Sequence, residues 1–250
     1  MSEDYFKNRR SIRRYSDQAV DDKTVKELLA LAANAPTTGN MQLYSVVITR
    51  DDEKKATLAP AHFNQPAIMN AKVVLTFCAD FNRFSRWCTL SNAEPCYDNL
   101  QSLVTAILDT TIVAQQFVTL AEMRGLGTCY LGTTTYNAPM IAEKLNLPTL
   151  VVPVITVTLG WPEEKAEDPG RLPSEAFIHE ETYDDVSDEK LKELYAEKED
   201  REDSKKFVAE NGMETLAQVF TDVRYPRGNN EHFSKVLMEF IKSAGYKMPE

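Results

Sequence analysis

The segment NRRSIRRYSD (residues 8–17) places four arginines within six residues, in a chain that is otherwise acidic. In an extended backbone, side chains alternate between two faces, so Arg9, Ser11 and Arg13 would share one face. A guanidinium binds two phosphate oxygens in a fork, and a serine hydroxyl adds another hydrogen bond. The pattern favours a site for a terminal phosphate monoester. A solvated basic strip that neutralises acidic neighbours is the alternative.

The rest of the composition makes this cluster stand out. The 250 residues include 28 Lys and Arg against 38 Asp and Glu, which gives a formal net charge of −10. An acidic chain is a poor candidate for binding nucleic acid or an anionic membrane, because both attract basic surfaces. We therefore expect neither nucleic acid nor membrane as a partner.

Cysteine spacing and the N-terminal residues narrow the class of protein further. Cys78, Cys88, Cys96 and Cys129 match no common zinc or disulfide spacing, so we expect free thiols and no metal site. The first ten residues lack the apolar stretch of a signal peptide. Polar residues such as Asp109 and Glu122 interrupt the longest apolar helix, so we expect no membrane span. A cytoplasmic protein is the resulting prediction.

Hydrophobic periodicity predicts a core of alternating helices and strands. Strands are predicted over residues 43–49, 72–79, 127–131 and 151–159, and helices over 17–34, 98–124 and 139–145. The near-continuous apolar run of 72–79 indicates a central strand. The helix over 98–124 is apolar around most of its circumference, which is typical of a protein core or a subunit interface.

The chain becomes more polar after the fourth strand. A loop is predicted over residues 162–175, a highly charged helix over 186–206 and an amphipathic helix over 231–244. A core followed by a polar arm is typical of a subunit that embraces its partner, and equally of an ordinary tail.

RRSIRRYSD resembles the N-terminal signature of the FMN-dependent nitroreductases, a homodimeric α+β family. The resemblance implies that Arg9, Arg10 and Ser11 hold the phosphate and ribityl chain of FMN. It also implies that Arg13 faces N1 and O2 of the isoalloxazine ring. A fixed cation there would favour the reduced flavin, which tends to carry negative charge at N1.

The segment Ala35-Pro36-Thr37-Thr38-Gly39-Asn40-Met41-Gln42 is a loop rich in small polar residues. By itself it is typical of an ordinary connection between helix and strand. It resembles a family segment that packs on the flavin from the other subunit, which implies cofactor contacts for Thr37, Thr38, Asn40 and Gln42. Leu43-Tyr44 replaces the family's usual Pro-Trp, which is similar to the oxygen-insensitive, NADPH-preferring branch.

Two further blocks resemble the same branch. Gln65 precedes the stretch FCADFNR (residues 77–83), and the resemblance implies that its amide binds the ring. Tyr130, Leu131, Gly132 and Thr133 match a strand end that lies on the N5 side of the ring. Gly132 would let backbone amides approach a flat ring closely. Thr133 departs from the small glycine common at its position.

Basic residues later in the chain extend the resemblance. Arg171 in Arg171-Leu172-Pro173 matches a phosphate-binding arginine. Pro169 stands where a second basic residue is expected, so that contact is either lost or moved to Lys165. Arg224 and Arg227 match loosely a loop that contacts the 2′-phosphate of NADPH. A solvated turn before the last helix is the alternative for this pair.

The resemblance as a whole implies an α+β nitroreductase-like fold, with a central mixed, mostly antiparallel sheet flanked by helices in an intertwined homodimer. It implies an FMN-binding core over residues 1–180 and a helical arm over 181–250 that packs on the partner and the NADPH site. The expected activity is ping-pong transfer of two electrons from NADPH or NADH to nitroaromatics, quinones or free flavin. The chemistry would take place at flavin N5, without a catalytic side chain. A flavin carrier or sensor without turnover is one alternative, and a relative that oxidises or dehalogenates its substrate is another.

Overall fold

One four-stranded sheet lies at the centre of the fold. The computed structural model describes residues 3–249; Met1, Ser2 and Glu250 lie outside the described residues. The strands are β1 Tyr44–Thr49, β2 Val73–Asp80, β3 Gly127–Leu131 and β4 Val151–Gly160. Their order across the sheet is β1-β2-β4-β3, and each neighbouring pair is antiparallel. Every residue of β2 is buried, which confirms the prediction of a central strand.

The helices of this part of the chain are mostly short. They are α1 Glu3–Asn8, α2 Asp22–Ala32, α3 Asp52–Leu58, α4 Pro66–Asn70, α5 Asn82–Leu90, α6 Leu100–Met123 and α7 Ala138–Lys144. Periodicity predicted α2, α6 and α7. It missed α1, α3, α4 and α5, which have five to nine residues and so carry little of the repeat. The seven-residue α7 was predicted although it is equally short.

The helix predicted from residue 17 begins later, at Asp22. The Asp21 side chain accepts a hydrogen bond from the backbone N–H of Thr24 at 2.8 Å and caps this N-terminus. Capping favours a helix start directly after the aspartate. The helix ends at Ala32, four residues before Pro36.

The long helix α6 packs one face against the sheet. Its Phe117 ring lies 5.7 Å from the Phe77 ring of β2, within the largest buried cluster. Arg124 and Gly125 end the helix, and Gly125 adopts a φ of +83° that a side chain would oppose. The predicted helix over 98–124 is thus confirmed.

By length and composition, α6 is the one described helix that could cross a membrane, and 44% of its most apolar window is buried. The polar residues that were expected to interrupt it, including Asp109 and Glu122, do not remove it from that class. Both side chains instead make the hydrogen bonds described below, as expected for a helix that packs within a protein core.

The chain divides into two units, Met1–Ala166 with Phe233–Glu250 and Glu167–His232. The second unit contains α8 Asp188–Asp200, α9 Glu202–Glu210, α10 Leu216–Gln218 and a π-helical turn Val219–Arg224. The last helix, α11, spans Arg227–Ser243 and so begins four residues before the predicted start. The division into a core over 1–180 and an arm over 181–250 stays a prediction.

A single helix predicted over residues 186–206 is wrong, since α8 and α9 are separate. Arg201 between them has φ −57° and ψ 141°, which is extended backbone. Its guanidinium binds both carboxylate oxygens of Asp203 and the carbonyl oxygen of Asp168. These contacts fix the break, and helical periodicity does not reveal them.

The cysteines are free, as expected. Cys78, Cys88 and Cys129 are buried and Cys96 is exposed. Burial raises the pKa of the Cys78 thiol to about 12, so this thiol is protonated and unreactive at neutral pH. Residues 3–249 contain no cluster of His, Cys, Asp and Glu that could hold a metal ion.

Candidate functional site

The arginine segment crosses the β3 edge of the sheet. The backbone N–H of Ile12 donates to the carbonyl oxygen of Thr128 at 2.9 Å. A Cβ added at Gly127 would lie 2.7 Å from the Cβ of Ile12, and one at Gly160 would lie 2.8 Å from the Tyr15 ring. Two glycines that pair across β3 and β4 therefore make room for the segment.

Glu164 holds the second half of the segment. Its carboxylate accepts hydrogen bonds from the backbone N–H of Arg13 at 2.8 Å and of Arg14 at 3.1 Å. The Arg14 Nε donates to the other carboxylate oxygen at 3.0 Å. The Arg13 N–H, followed by the Arg14 groups, lowers the pKa of Glu164. Glu164 thus remains charged and orients the backbone from which the Arg13 side chain projects.

Arg9 is paired with a carboxylate of α6. Its Nη1 lies 3.3 Å from Oε1 of Glu122, whose side chain is only 9% exposed. Tyr5 and Thr128 donate hydroxyl hydrogen bonds to the same carboxylate at 2.7 and 2.5 Å. Sequence reasoning missed Glu122 as a site residue. Part of the Arg9 charge is compensated within the protein, so less of it remains for a phosphate.

Arg10 and Ser11 lie between these two anchors and are both half-buried. The Arg10 Nη1 donates to the carbonyl oxygens of Lys7 and Arg9, each at 2.9 Å. These bonds curl the guanidinium back over the end of α1. Two of the contacts that position this side chain are therefore local backbone oxygens.

The predicted ring-binding residues continue past the end of β3. Leu131 is buried, whereas Tyr130 is 36% exposed and its hydroxyl donates to the side-chain oxygen of Gln115 at 3.2 Å. A Cβ added at Gly132 would meet no atom within 4 Å. The position of this added Cβ is thus open space, and the contact of Gly132 with a flat ring stays a prediction.

Thr133 and Gln65 are brought together, as the predicted site requires. The Gln65 Nε2 donates to Oγ1 of Thr133 at 3.4 Å. His62, which sequence reasoning did not single out, places its Nδ1 at 2.9 Å from the same oxygen and is 0% exposed. Burial lowers the pKa of His62 to about 4, so the ring is neutral at neutral pH.

The loop with Thr37 and Thr38 is fixed by Asp109 of α6, a residue that is 2% exposed. Its carboxylate accepts hydrogen bonds from the Thr37 hydroxyl at 2.5 Å and from the Thr38 N–H and hydroxyl at 3.0 Å. The N–H of Leu43 adds a fourth at 3.3 Å. Sequence reasoning treated Asp109 only as an interruption of an apolar helix. The signal was a lone carboxylate on a buried helical face.

Asn40 and Gln42 adopt left-handed backbone conformations, with φ of +56° and +53°. The Arg83 guanidinium donates to the carbonyl oxygens of Gln42 and Tyr44 and so holds the end of the loop. An open depression beside the loop is lined by Gly39, Asn40, Met41, Arg83, Phe84 and Trp87. Asn40 is therefore directed toward accessible space.

Within one chain, the loop and the Gly132 region lie at opposite edges of the sheet. The loop leads into β1, and Gly132 follows β3, with β2 and β4 between them. Three strand spacings separate the edges by about 14 Å. A single chain therefore does not bring Asn40 and Gly132 to one small ligand by this route.

Arg171 lies in the second unit, and its Nη1 donates to the carbonyl oxygen of Gly170 at 2.7 Å. Gly170 has φ +65°, and the Arg201 guanidinium lies against it. Arg201 is thus the basic group beside Arg171 in this unit, but Asp203 binds it. Lys165 is exposed in the other unit.

Arg224 and Arg227 are also in the second unit, and both have partners. The Arg224 guanidinium lies 4.8 Å from the centre of the Phe207 ring, in cation–π geometry. The Arg227 Nε lies 2.6 Å from a carboxylate oxygen of Glu231, one helical turn away. The predicted contact of this pair with a nucleotide phosphate stays a prediction.

Comparison with known proteins places these features in a family. The model of the nitroreductase family matches residues 6–161. The oxygen-insensitive NADPH nitroreductase of Salmonella typhimurium is 32% identical over 75% of this chain and 76% of its own length. The NAD(P)H-dependent FMN reductase of Bacillus subtilis is 28% identical over 96% of this chain and 95% of its own. A crystal structure from Bacteroides fragilis, provisionally assigned as an oxidoreductase, superimposes with a TM-score of 0.96 at 52% identity and covers 97% of this chain and 98% of its own.

Proposed function

Because the chain belongs to the nitroreductase family, we propose that it is an FMN-dependent oxidoreductase that uses NADPH or NADH. Its electron acceptors are small molecules of the nitroaromatic, quinone or free-flavin class. Relatives with these activities in their names support the proposal, among them the Salmonella nitroreductase and the Bacillus FMN reductase.

One observation carries the proposal: a glycine-anchored arginine segment crosses the start of β3, the strand that ends directly before the open space at Gly132. FMN presents a phosphate at one end and a flat ring at the other. Arg9 and Arg10, with Ser11, suit the phosphate end. The open space at Gly132 and the polar atoms of Gln65 and Thr133 suit the ring. The residues present fit the cofactor.

Bound FMN supplies the two-electron chemistry. NADPH or NADH would use it first and the electron acceptor second, which is a ping-pong sequence. Arg9, Arg10 and Ser11 bind the phosphate and ribityl end. Arg13, whose backbone is held by Glu164, sets a positive charge beside the pyrimidine edge of the ring and favours its reduced, anionic form. The residues Tyr130 to Thr133 would bind the ring through backbone groups.

Residues of the second unit complete the proposal. Arg171 contributes to the phosphate site, and Arg224 with Arg227 receives the 2′-phosphate of NADPH. To bind the phosphate of FMN or the 2′-phosphate of NADPH, each arginine would leave its present partner within the protein. Arg227 would leave Glu231, an exposed ion pair of the kind that contributes little to stability.

The functional unit in this proposal is a homodimer. The outer face of α6 exposes Leu100, Val104, Leu108 and Ile112 at intervals of four residues, and these side chains are 41% to 58% exposed. A partner chain that covers this face would bury them. It would also bring its own loop with Thr37, Thr38, Asn40 and Gln42 to the ring, which a single chain leaves at the other sheet edge.

The decisive experiment is a spectrum of the purified protein before and after NADPH is added without oxygen. We expect one FMN per chain and rapid loss of the visible flavin absorbance. Bound FMN that NADPH does not bleach would indicate a flavin carrier or sensor instead. A colourless protein that rejects added FMN would overturn the proposal.

The phosphate assignment is tested by comparing FMN with riboflavin, which lacks the phosphate. Arg10→Ala should weaken FMN binding by roughly 2 kcal/mol, the loss of a charge-assisted contact, and leave riboflavin binding unchanged. Arg171→Ala, measured separately, should show the same selectivity. Arg86→Ala, an exposed arginine of α5, is the control and should change neither affinity. Equal loss for both ligands would contradict the assignment.

The dimer is tested with Leu108→Glu on the exposed face of α6. This variant should sediment as a monomer and lose bound FMN, because the partner's loop is then missing. Leu191→Glu, an exposed leucine of α8, is the matched control. A monomeric wild-type protein that binds FMN fully would contradict the shared site.

A further inference from the structure

The hydroxyl group of Thr133 is the centre of a small polar network under the predicted ring site. His62 Nδ1 lies 2.9 Å from Oγ1, and the Gln65 Nε2 donates to the same oxygen at 3.4 Å. A hydroxyl has one hydrogen to donate and two lone pairs that accept. The direction in which Thr133 donates its hydrogen therefore depends on which nitrogen of His62 carries the proton.

The burial of His62 decides between the two neutral tautomers. Its ring is 0% exposed, and its Nε2 has no hydrogen-bond partner among the described residues. With the proton on Nε2, a buried N–H would lack an acceptor, and such orphaned donors are rarer in proteins than unfilled acceptors. With the proton on Nδ1, only a lone pair is left unfilled. The Nδ1–H tautomer is therefore favoured, and it donates to Thr133.

The hydroxyl of Thr133 then accepts from both His62 and Gln65. Both lone pairs are occupied, so the group can act toward anything else only as a donor. No other hydrogen bond of this hydroxyl is present within residues 3–249. The adjacent backbone, at Gly132, faces open space.

The backbone between His62 and Gln65 is built to make both contacts. Phe63 and Asn64 have φ of +52° and +53°, two consecutive left-handed residues without a glycine. Such conformations are unfavourable for side-chain-bearing residues and cluster at functional sites. Here the turn lets side chains three residues apart reach one oxygen atom.

We propose that His62 and Gln65 fix the Thr133 hydroxyl as a donor to an acceptor atom of the flavin ring, with His62 as a positioning residue. The inference rests on the proposed function, because it takes FMN as the ligand. The N5 atom accepts a hydrogen bond in oxidised flavin but carries hydrogen in reduced flavin. A group that can only donate therefore binds the oxidised ring in preference to the reduced ring.

The tautomer can be measured without FMN. In ¹⁵N NMR spectra of the apoprotein at neutral pH, His62 should show a protonated Nδ1 and an unprotonated Nε2. Assignment uses His62→Asn, in which the signals disappear. A protonated Nε2 would overturn the proposal, because the Thr133 hydrogen would then be donated to His62.

Binding of FMN provides the second test. Thr133→Val should weaken the binding of oxidised FMN by about tenfold, because one neutral hydrogen bond is lost. The binding of reduced FMN should weaken less. Thr133→Ser keeps the hydroxyl and should bind like the wild type. Thr133→Val with unchanged affinity for oxidised FMN would overturn the proposal. A wild type that binds no FMN would overturn the proposed function instead.

A positioning role for His62 predicts a pattern that a merely structural role does not. His62→Leu should weaken the binding of oxidised FMN as much as Thr133→Val does. The double variant should lose no further affinity. His62→Asn, whose amide can donate from a position near that of Nδ1, should restore the preference for oxidised FMN. Additive losses in the double variant would contradict coupling. If His62→Leu does not fold, the NMR measurement and the Thr133 variants still decide the question.

Discussion

The two edges of the sheet hold their loops by different physical means. At the β3 edge, the side chains of Ile12 and Tyr15 occupy the space that Gly127 and Gly160 leave open. At the β1 edge, the loop before Tyr44 is held by hydrogen bonds to the buried carboxylate of Asp109. The β3 edge thus combines close packing with hydrogen bonds to two carboxylates, Glu122 and Glu164, whereas most of the bonds that hold the β1 loop converge on Asp109.

This difference determines how each edge tolerates change. The β1 loop contains non-glycine residues with positive φ, Asn40 and Gln42, and each such conformation costs about 1–2 kcal/mol. Hydrogen bonds that all end on one residue, Asp109, offset that cost. At the β3 edge the contacts are divided among Glu122, Glu164 and the apolar packing of Ile12 and Tyr15 against the two glycines. Removing one group should therefore damage the β1 edge more.

The largest effect is expected for Asp109→Ala. This substitution leaves the buried N–H group of Leu43, the N–H group of Thr38 and two threonine hydroxyls without their acceptor. Unsatisfied buried donors cost about 1–3 kcal/mol each, so we expect a loss of about 4 kcal/mol in the free energy of unfolding, measured by urea denaturation. The strained loop should also become susceptible to proteolysis near Gly39.

Thr110→Ala is the matched control, because Thr110 is the next residue and is also buried. Its hydroxyl donates to the carbonyl oxygen of Ala106 within the same helix. It should cost about 1 kcal/mol. If both variants lost the same amount, the idea that one acceptor holds the β1 edge would fail.

Acid should destabilise the protein through His62, the buried side chain that contacts Thr133 after β3. The pKa of His62 is about 4 in the folded protein, below the value of about 6.5 for an unfolded histidine. The unfolded chain takes up this proton first, so the stabilisation is present above pH 6.5 and is lost as the pH falls toward 4. The loss amounts to about 3 kcal/mol.

His62→Asn removes this titration and should reduce the difference in unfolding free energy between pH 7 and pH 4.5. His232→Asn, at an exposed position, should leave the difference as in the wild type. Parallel stability profiles for wild type and His62→Asn would show that burial of His62 is not linked to acid sensitivity.

The same contrast explains what could be predicted from the sequence. All four strands and α6 were predicted, because long apolar patterns are local. The arginine segment was recognised because Arg9 to Arg13 are neighbours in the chain. Asp109 was missed as the anchor of a loop about 70 residues earlier, since no local pattern links the two. His62 was missed for the same reason: its partner Thr133 is 71 residues away.

A smaller effect is expected for Gly127→Ala. The added Cβ would lie 2.7 Å from Ile12 and would push the arginine segment off β3. Overpacking of this kind costs about 2 kcal/mol. In an Ile12→Ala background the same change should cost much less, because the conflicting side chain is gone. Equal costs in both backgrounds would mean that Ile12 is not what Gly127 accommodates.

The smallest effect on stability is expected for Gly132→Ala, five residues after Gly127 and directly after the end of β3. Its added Cβ meets no atom of the chain, so the free energy of unfolding of the apoprotein should stay within about 0.5 kcal/mol of the wild type. The flavin ring, if it lies there, meets that methyl group instead, and FMN binding should weaken about tenfold. Riboflavin binding should weaken equally, because the clash is with the ring and not with the phosphate. A Gly132→Ala protein that binds both ligands normally would place the ring elsewhere, whereas Gly127→Ala would still destabilise the fold. The two glycines therefore separate what the strand needs for folding from what it needs for binding.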